Sequence, residues 1–234
     1  KPFFNFFFIP IVTLIKSTFD NHYSVSLQLF TINTFHFMKI DKFFSTAIIC
    51  LFTISSFAQD AAYINPDTSG PGWVDMFNSD LSNAVFPAGV WSDSAGIITA
   101  TNDEALWRKD EYDDFVVDLD FMNADVTNSG VIVHASDIKD WIPHSVEIQI
   151  ADDYSKEWST SPATWQCAAI FGHQAATNKK LRHPGEWNHY TITCIGKKIW
   201  VVLNGTLVNT CDMSKFTSAK TNPDGSKIPS WLSN

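Results

Sequence analysis

The stretch running from Asn128 to Asp153, NSGVIVHASDIKDWIPHSVEIQIADD, constrains the fold of this chain more than any other. Side chains of a strand point alternately to its two faces. In the first half, Asn128, Gly130, Ile132 and His134 alternate with Ser129, Val131 and Val133. In the second, Glu147 and Gln149 alternate with Val146, Ile148 and Ile150. The pattern predicts two strands with one apolar face for a core. On the other face it gathers a carboxylate, amides and an imidazole, with Asp152 and Asp153 at the strand end. Chemistry is expected there.

The 234 residues are not uniform: thirteen of the 19 Phe precede residue 59, and all nine Trp follow it. From Met38 the chain reads MKIDKFFSTAIICLFTISSFAQ. A basic start, an apolar run and a Ser-Phe-Ala site predict a signal peptide over 38–58, cleaved after Ala58. The apolar run is shorter than the ~20 residues a membrane span needs. Residues 1–37, which lack Met, are read as translated upstream sequence or as disordered. The expected protein is therefore secreted or periplasmic and free of the membrane after cleavage.

Four of the 16 Lys and Arg and two of the 25 Asp and Glu lie before residue 59, so the remainder carries a net charge of −11. That excess of negative charge argues against nucleic acid and anionic membrane as partners. Cys167, Cys194 and Cys211 match no metal-binding spacing and are odd in number, which predicts small buried apolar residues without an essential bridge.

After a loose lead-in over 59–71, short alternating segments follow one another. They are Gly72–Asn78, a hairpin over 90–100, Ala105–Arg108, Phe115–Phe121, the focal pair, Gln166–Phe171, Trp187–Ile195, Lys198–Leu203 and Thr206–Thr210. Asn204-Gly205 is a strong hairpin turn. Asp118 and Asp120 read as a solvated strand face. Trp187, Trp200 and Trp231 read as packing residues. With no helical periodicity and many evenly spaced strands, the domain over 72–234 is expected to be an all-β antiparallel sandwich or barrel.

Seven motifs in order resemble one family: Gly72-Trp73 with Met76-Phe77-Asn78, Tyr112 with Asp114-Phe115, Asn128-Ser129-Gly130-Val131, Glu147 with Gln149 and Asp152, Ala169-Ile170-Phe171-Gly172, Pro184-Gly185-Glu186-Trp187-Asn188, and Leu203-Asn204-Gly205. Together they are similar to the 3-keto-disaccharide hydrolase domain family over about 72–231, nearly the whole of the chain after residue 58. The resemblance implies a concanavalin-like jelly roll of two antiparallel sheets, an exported protein and a sugar substrate. Two departures stand out. His134 occupies a position where the family typically has Arg. The chain also stops at Asn234, where the family usually continues through further strands. The last strands of the sandwich are therefore expected to be missing, leaving a gap beside the sheet bearing Glu147 or beside the Gly72–Phe77 strand.

The resemblance implies cleavage of a glycoside already oxidised at C3. The keto group acidifies the C2 proton, a base removes it, and the enolate expels the C1 oxygen. Such a site needs a base, an acid and an enolate stabiliser. Glu147 is the expected base, with Asp152 or His134 as acid or orienting group. Asn128 and Gln149 are expected to bind hydroxyls or the keto oxygen, and Trp107 and Trp165 to stack on sugar rings. Two alternatives stand beside this one: a two-carboxylate glycosidase built on Glu147 and Asp152, and a non-catalytic carbohydrate-binding module. The residues point to no particular cofactor. Calcium could bind the acidic runs Asp110–Asp114 or Asp152–Asp153, because carboxylate oxygens are its ligands.

Overall fold

The computed structural model describes residues 12–18, 66, 67 and 72–232. All of them belong to the unit formed by Lys1–Phe19 and Asn65–Asn234. The expected signal peptide and nearly all of the lead-in lie outside the described residues.

Twelve strands are described: β1 Val12–Thr18, β2 Trp73–Asp75, β3 Ala84–Val85, β4 Trp91–Ser94, β5 Ile97–Ala100, β6 Trp107–Arg108, β7 Phe115–Met122, β8 Asn128–Val133, β9 Val146–Ala151, β10 Trp187–Ile195, β11 Lys198–Leu203 and β12 Thr206–Asp212. The large sheet runs β12-β11-β10-β7-β1-β5-β4, with β2 paired to β1. Every pairing in it is antiparallel. The second layer is the antiparallel pair β8-β9, extended by a single bridge from Ile148 to Ile170. A small β3-β6 ladder sits apart from both. The molecule is an all-β jelly-roll sandwich of two antiparallel sheets.

Period-two patterning explains the layering. Val117, Leu119 and Phe121 of β7, Tyr190, Ile192 and Cys194 of β10, and Ile199, Val201 and Leu203 of β11 form one wall of the core. Val133, Ile148 and Ile150 of β8 and β9 form the other. Removing this apolar surface from water supplies the main driving force, at roughly 25 cal/mol per Å². Cys167, Cys194 and Cys211 are free and buried in the same core. Tyr190 ties the layers together. Its ring packs on Phe121 at 4.6 Å, and its hydroxyl donates to the Gln149 carbonyl of β9 at 2.8 Å. β9 is thereby fixed against the large sheet.

Two of the three two-residue hairpin loops, Ala95-Gly96 and Asn204-Gly205, have positive φ at each position. Two successive left-handed residues match the strand twist of a two-residue hairpin.

Three sequence expectations differ from the fold. Gln166–Phe171 forms turns rather than a strand, because the chain folds back so that Ile170 makes isolated bridges both to Ile148 and to Gln174. Asp118 and Asp120 do not form a plain solvated face: Asp118 is only 8% exposed, and both carboxylates bind His189. Trp187 and Trp231 are exposed rather than in the core, at the start of β10 and in a turn, although Trp231 still packs against Trp165 and Phe171. Val12–Thr18, within the segment read as upstream sequence, has its backbone laid between β7 and β5. Its Thr-, Val- and Ile-rich sequence favours extended structure.

Candidate active site

β8 and β9 pair with Gly130 opposite Gln149 and Ile132 opposite Glu147. The expected faces are therefore correct. Val131 and Val133 meet Ile148 and Val146 on the core side, while Asn128 and Gly130 share the other side with Glu147 and Gln149. Glu147 lies diagonally across from Gly130 and folds its side chain over it. A Cβ on Gly130 would overlap the Glu147 side chain, with the carboxyl carbon only 2.8 Å away. Only glycine leaves room for the carboxyl group in this position.

A cavity of about 960 Å³ surrounds this carboxyl. All six residues of β8 line it, so it touches both faces of that strand. A space in contact with both faces must pass around the strand's edge. Among the described residues no strand pairs with that edge. The loop carrying Asp103 and Glu104, the indoles of Trp107 and Trp141, and His173 complete the walls. The volume lies at the upper end of the range for sites that enclose small ligands. Trp107 and Trp141 meet edge to face with their centroids 6.3 Å apart, which gives the cavity a rigid aromatic wall.

Electrostatics set the protonation of this site. Burial in the cavity, reinforced by the negative charge of Asp103, pushes the Glu147 pKa up to about 8. Desolvation and a like charge both disfavour the carboxylate, so Glu147 is mostly a carboxylic acid at pH 7. His134 sits one residue past β8 with φ of 53°, a left-handed conformation uncommon outside glycine. It lines the cavity, its buried Nε2 has no hydrogen-bond partner, and burial lowers its pKa. Asn128 also lines the cavity, and its Oδ1 accepts from Gln149 Nε2 at 2.9 Å. That leaves its Nδ2 as the amide group for a ligand.

The fold thus brings together four of the seven expected residues: Glu147, His134, Asn128 and Trp107. Asp152 stays outside the cavity. Its two carboxylate oxygens accept from the backbone N–H groups of Val126 and Tyr154, which makes it the staple of the turn after β9. Gln149 is 1% exposed and orients Asn128 without reaching the cavity. Trp165 packs behind two cavity residues, Phe171 at 5.6 Å and Trp231 at 6.1 Å. Asp103 and His173 were not found from the sequence. Both lie outside the strands, where no periodicity marks a side chain's direction.

The acidic runs weighed for calcium are otherwise engaged. Asp110 pairs with Arg108, Asp114 accepts from the Gly196 N–H, and Asp153 holds Lys179 and the Cys167 N–H. Among the described residues, no group of three or more His, Cys, Asp or Glu side chains could hold a metal ion.

Residues 72–229 match the family described as a 3-keto-alpha-glucoside-1,2-lyase-like domain. The chain is also similar to a solved candidate glycosyl hydrolase from Parabacteroides distasonis ATCC 8503, with 50% identity and a TM-score of 0.67, over 69% of this chain and 83% of that one. A second candidate glycosyl hydrolase from the same organism shares the fold, with 19% identity and a TM-score of 0.53, over 62% and 76% of the two chains. No curated protein matches this chain.

Proposed function

Because this chain belongs to the family of 3-keto-alpha-glucoside-1,2-lyase-like domains, we propose that it cleaves glycosides carrying a ketone at C3, by removing the C2 proton and expelling the C1 oxygen. Its general class is a carbohydrate-active hydrolase. The single observation that carries the finer reading is the state of Glu147. A buried carboxyl with a pKa near 8, held over Gly130 in a cavity of ligand size, is suited to giving a proton to a departing sugar oxygen. Glu147 is thus read as the acid rather than the base. Asn128 Nδ2 is an amide donor for the keto oxygen, where negative charge develops. Trp107 supplies an apolar wall for a sugar ring. In this reading the protein acts outside the cytoplasm on a small glycoside or oligosaccharide.

A second reading keeps the sugar and changes the chemistry. The charge of Asp103 acts on Glu147, so a two-carboxylate glycosidase would pair these two, with Asp103 in the place expected for Asp152.

The test is turnover of a 3-keto-glucoside against the matched unoxidised glucoside. Release of reducing sugar from the oxidised substrate alone supports the lyase reading. Release from the ordinary glucoside supports the carboxylate pair. Binding of either without turnover, unchanged by Glu147→Gln, leaves a carbohydrate-binding module and rejects both.

A further inference from the structure

His173 lies in the turn that follows the Ile148–Ile170 bridge, and this turn is sewn to the Glu147 end of β9: the Phe171 N–H donates to the Glu147 carbonyl at 2.9 Å. The residue is half-buried and lines the same cavity as Glu147. Its ring is held from two sides. Phe216 meets it edge to face with centroids 5.6 Å apart, and its Nδ1 lies 3.0 Å from Asn222 Oδ1.

Asn222 is 4% exposed, and its own orientation is forced. Its Nδ2 lies 3.0 Å from the Gly172 carbonyl and 3.0 Å from Ser226 Oγ. A carbonyl only accepts, so the amide NH₂ must face Gly172 and Oδ1 must face His173. An amide oxygen also only accepts, so Nδ1 must carry the ring proton. Nε2 is then left with its lone pair and has no hydrogen-bond partner among the described residues. His134 lacks such a device: its Nε2 is equally without a partner, but among the described residues no side-chain hydrogen bond to the other ring nitrogen fixes which of the two carries the proton.

We propose that His173 is the general base of this site, with Asn222 as its positioning residue. This assignment rests on the 3-keto-glycoside reading above. Nε2 takes the proton from C2, and the C–H electron pair passes to the C3 carbonyl as an enolate. The enolate electrons then return to form the C1–C2 double bond and break the C1–O bond. The departing oxygen takes the proton of the Glu147 carboxylic acid. Water closes the cycle: its oxygen adds to C1, its proton goes to the Glu147 carboxylate, and His173 returns its proton to C2. The two groups titrate in the sense this division needs. Burial, only partly offset by the Asn222 bond, lowers the His173 pKa, while Glu147 is held protonated. The other ionisable groups lining the cavity are Asp103, whose charge acts on Glu147, with Glu104, Arg108, Lys109, Asp110, Glu111, Tyr112, Asp113 and His134.

The experiment uses the full chain, a 3-keto-glucoside and D₂O. Removal of the C2 proton is read by solvent exchange and cleavage by release of the leaving group. His173→Gln should lower both by about 10²–10⁴-fold, the span usual for a general base, whereas Glu147→Gln should lower cleavage and keep exchange. Asn222→Asp places a carboxylate against Nδ1 and should move the acid limb of the kcat/KM profile to higher pH. Retention of exchange within threefold in a folded His173→Gln protein, or an unmoved acid limb in Asn222→Asp, overturns the proposal. If the wild-type chain neither exchanges nor cleaves any 3-keto-glycoside, the functional reading falls. The orientation is still decided by ¹⁵N imidazole shifts: a His173 ring protonated on Nε2 at pH 7.5 rejects the role, and one protonated on Nδ1 supports it.

Discussion

Gly130 and Glu147 occupy one space: the carboxyl group of one lies where the side chain of any other residue at the first position would begin. This makes Gly130 part of the site although it has no functional group. Gly130→Ala should push the Glu147 side chain out of place. Cleavage is expected to fall by at least tenfold, with a stability loss of about 1–3 kcal/mol from overpacking. Steady-state kinetics and a thermal melt measure the two separately. Full activity in the alanine variant would show that Glu147 works from another position.

Glu147 itself links activity to pH. As an acid with a pKa of about 8, it is competent below that value, so cleavage is expected to decline as pH rises through about 8. The same shift acts on stability. The folded carboxyl binds its proton more tightly than the unfolded one, whose reference value is 4.5. Between those values the folded state holds more protons, so its stability falls as pH rises. Glu147→Gln should abolish cleavage and raise the melting temperature at pH 8 more than at pH 5. Equal shifts at both pH values would place the carboxyl in contact with bulk water.

Trp107 and Trp141 wall the cavity rather than filling the core. Trp107→Ala should weaken glycoside binding by roughly tenfold, which is 1.4 kcal/mol, and leave kcat within a few-fold. Substrate saturation curves separate the two effects. A change in kcat alone would remove Trp107 from the ring-binding wall.

Much of this architecture was legible in the residues. The β-branched and aromatic runs of β10 and β11, with Asn204-Gly205 closing the second, marked both strands to the residue. Period-two patterning placed Glu147 on the correct face of β9. What stayed hidden has a common cause. Asp152 and Gln149 were assigned to the site by adjacency, but one caps backbone N–H groups and the other orients a neighbouring amide. Which polar side chain reaches a cavity, and which satisfies the backbone beside it, depends on contacts that no local pattern records. His173 shows the converse. Its partner Asn222 lies 49 residues away, and its importance is visible only once two turns are brought together.

The clearest case of such a contact outside the cavity is His189 on the outer face of the large sheet. Its strand β10 pairs with β7 so that His189 faces Asp120 and Thr191 faces Asp118. The imidazole bridges both carboxylates, at 2.8 Å from Nδ1 to Asp120 and 2.9 Å from Nε2 to Asp118, and Thr191 Oγ1 adds a 2.7 Å bond to Asp118. The hydrogen bond to Asp118 is the largest of several effects that raise the His189 pKa to about 9. A histidine with both ring nitrogens on carboxylates is held as the cation. Its stabilising effect is fully present below its unfolded value near 6.5 and is lost as pH rises through about 9. The wild-type melting temperature should therefore fall across that window, and His189→Gln should melt lower at pH 6.5 and lose most of the dependence. Because Glu147 also titrates in this region, the decisive quantity is the difference between the two proteins at each pH. That difference should shrink steadily from pH 6.5 to 9.5. A difference that stays constant would mean that His189 is neutral in the folded sheet and that packing alone holds it between the two aspartates.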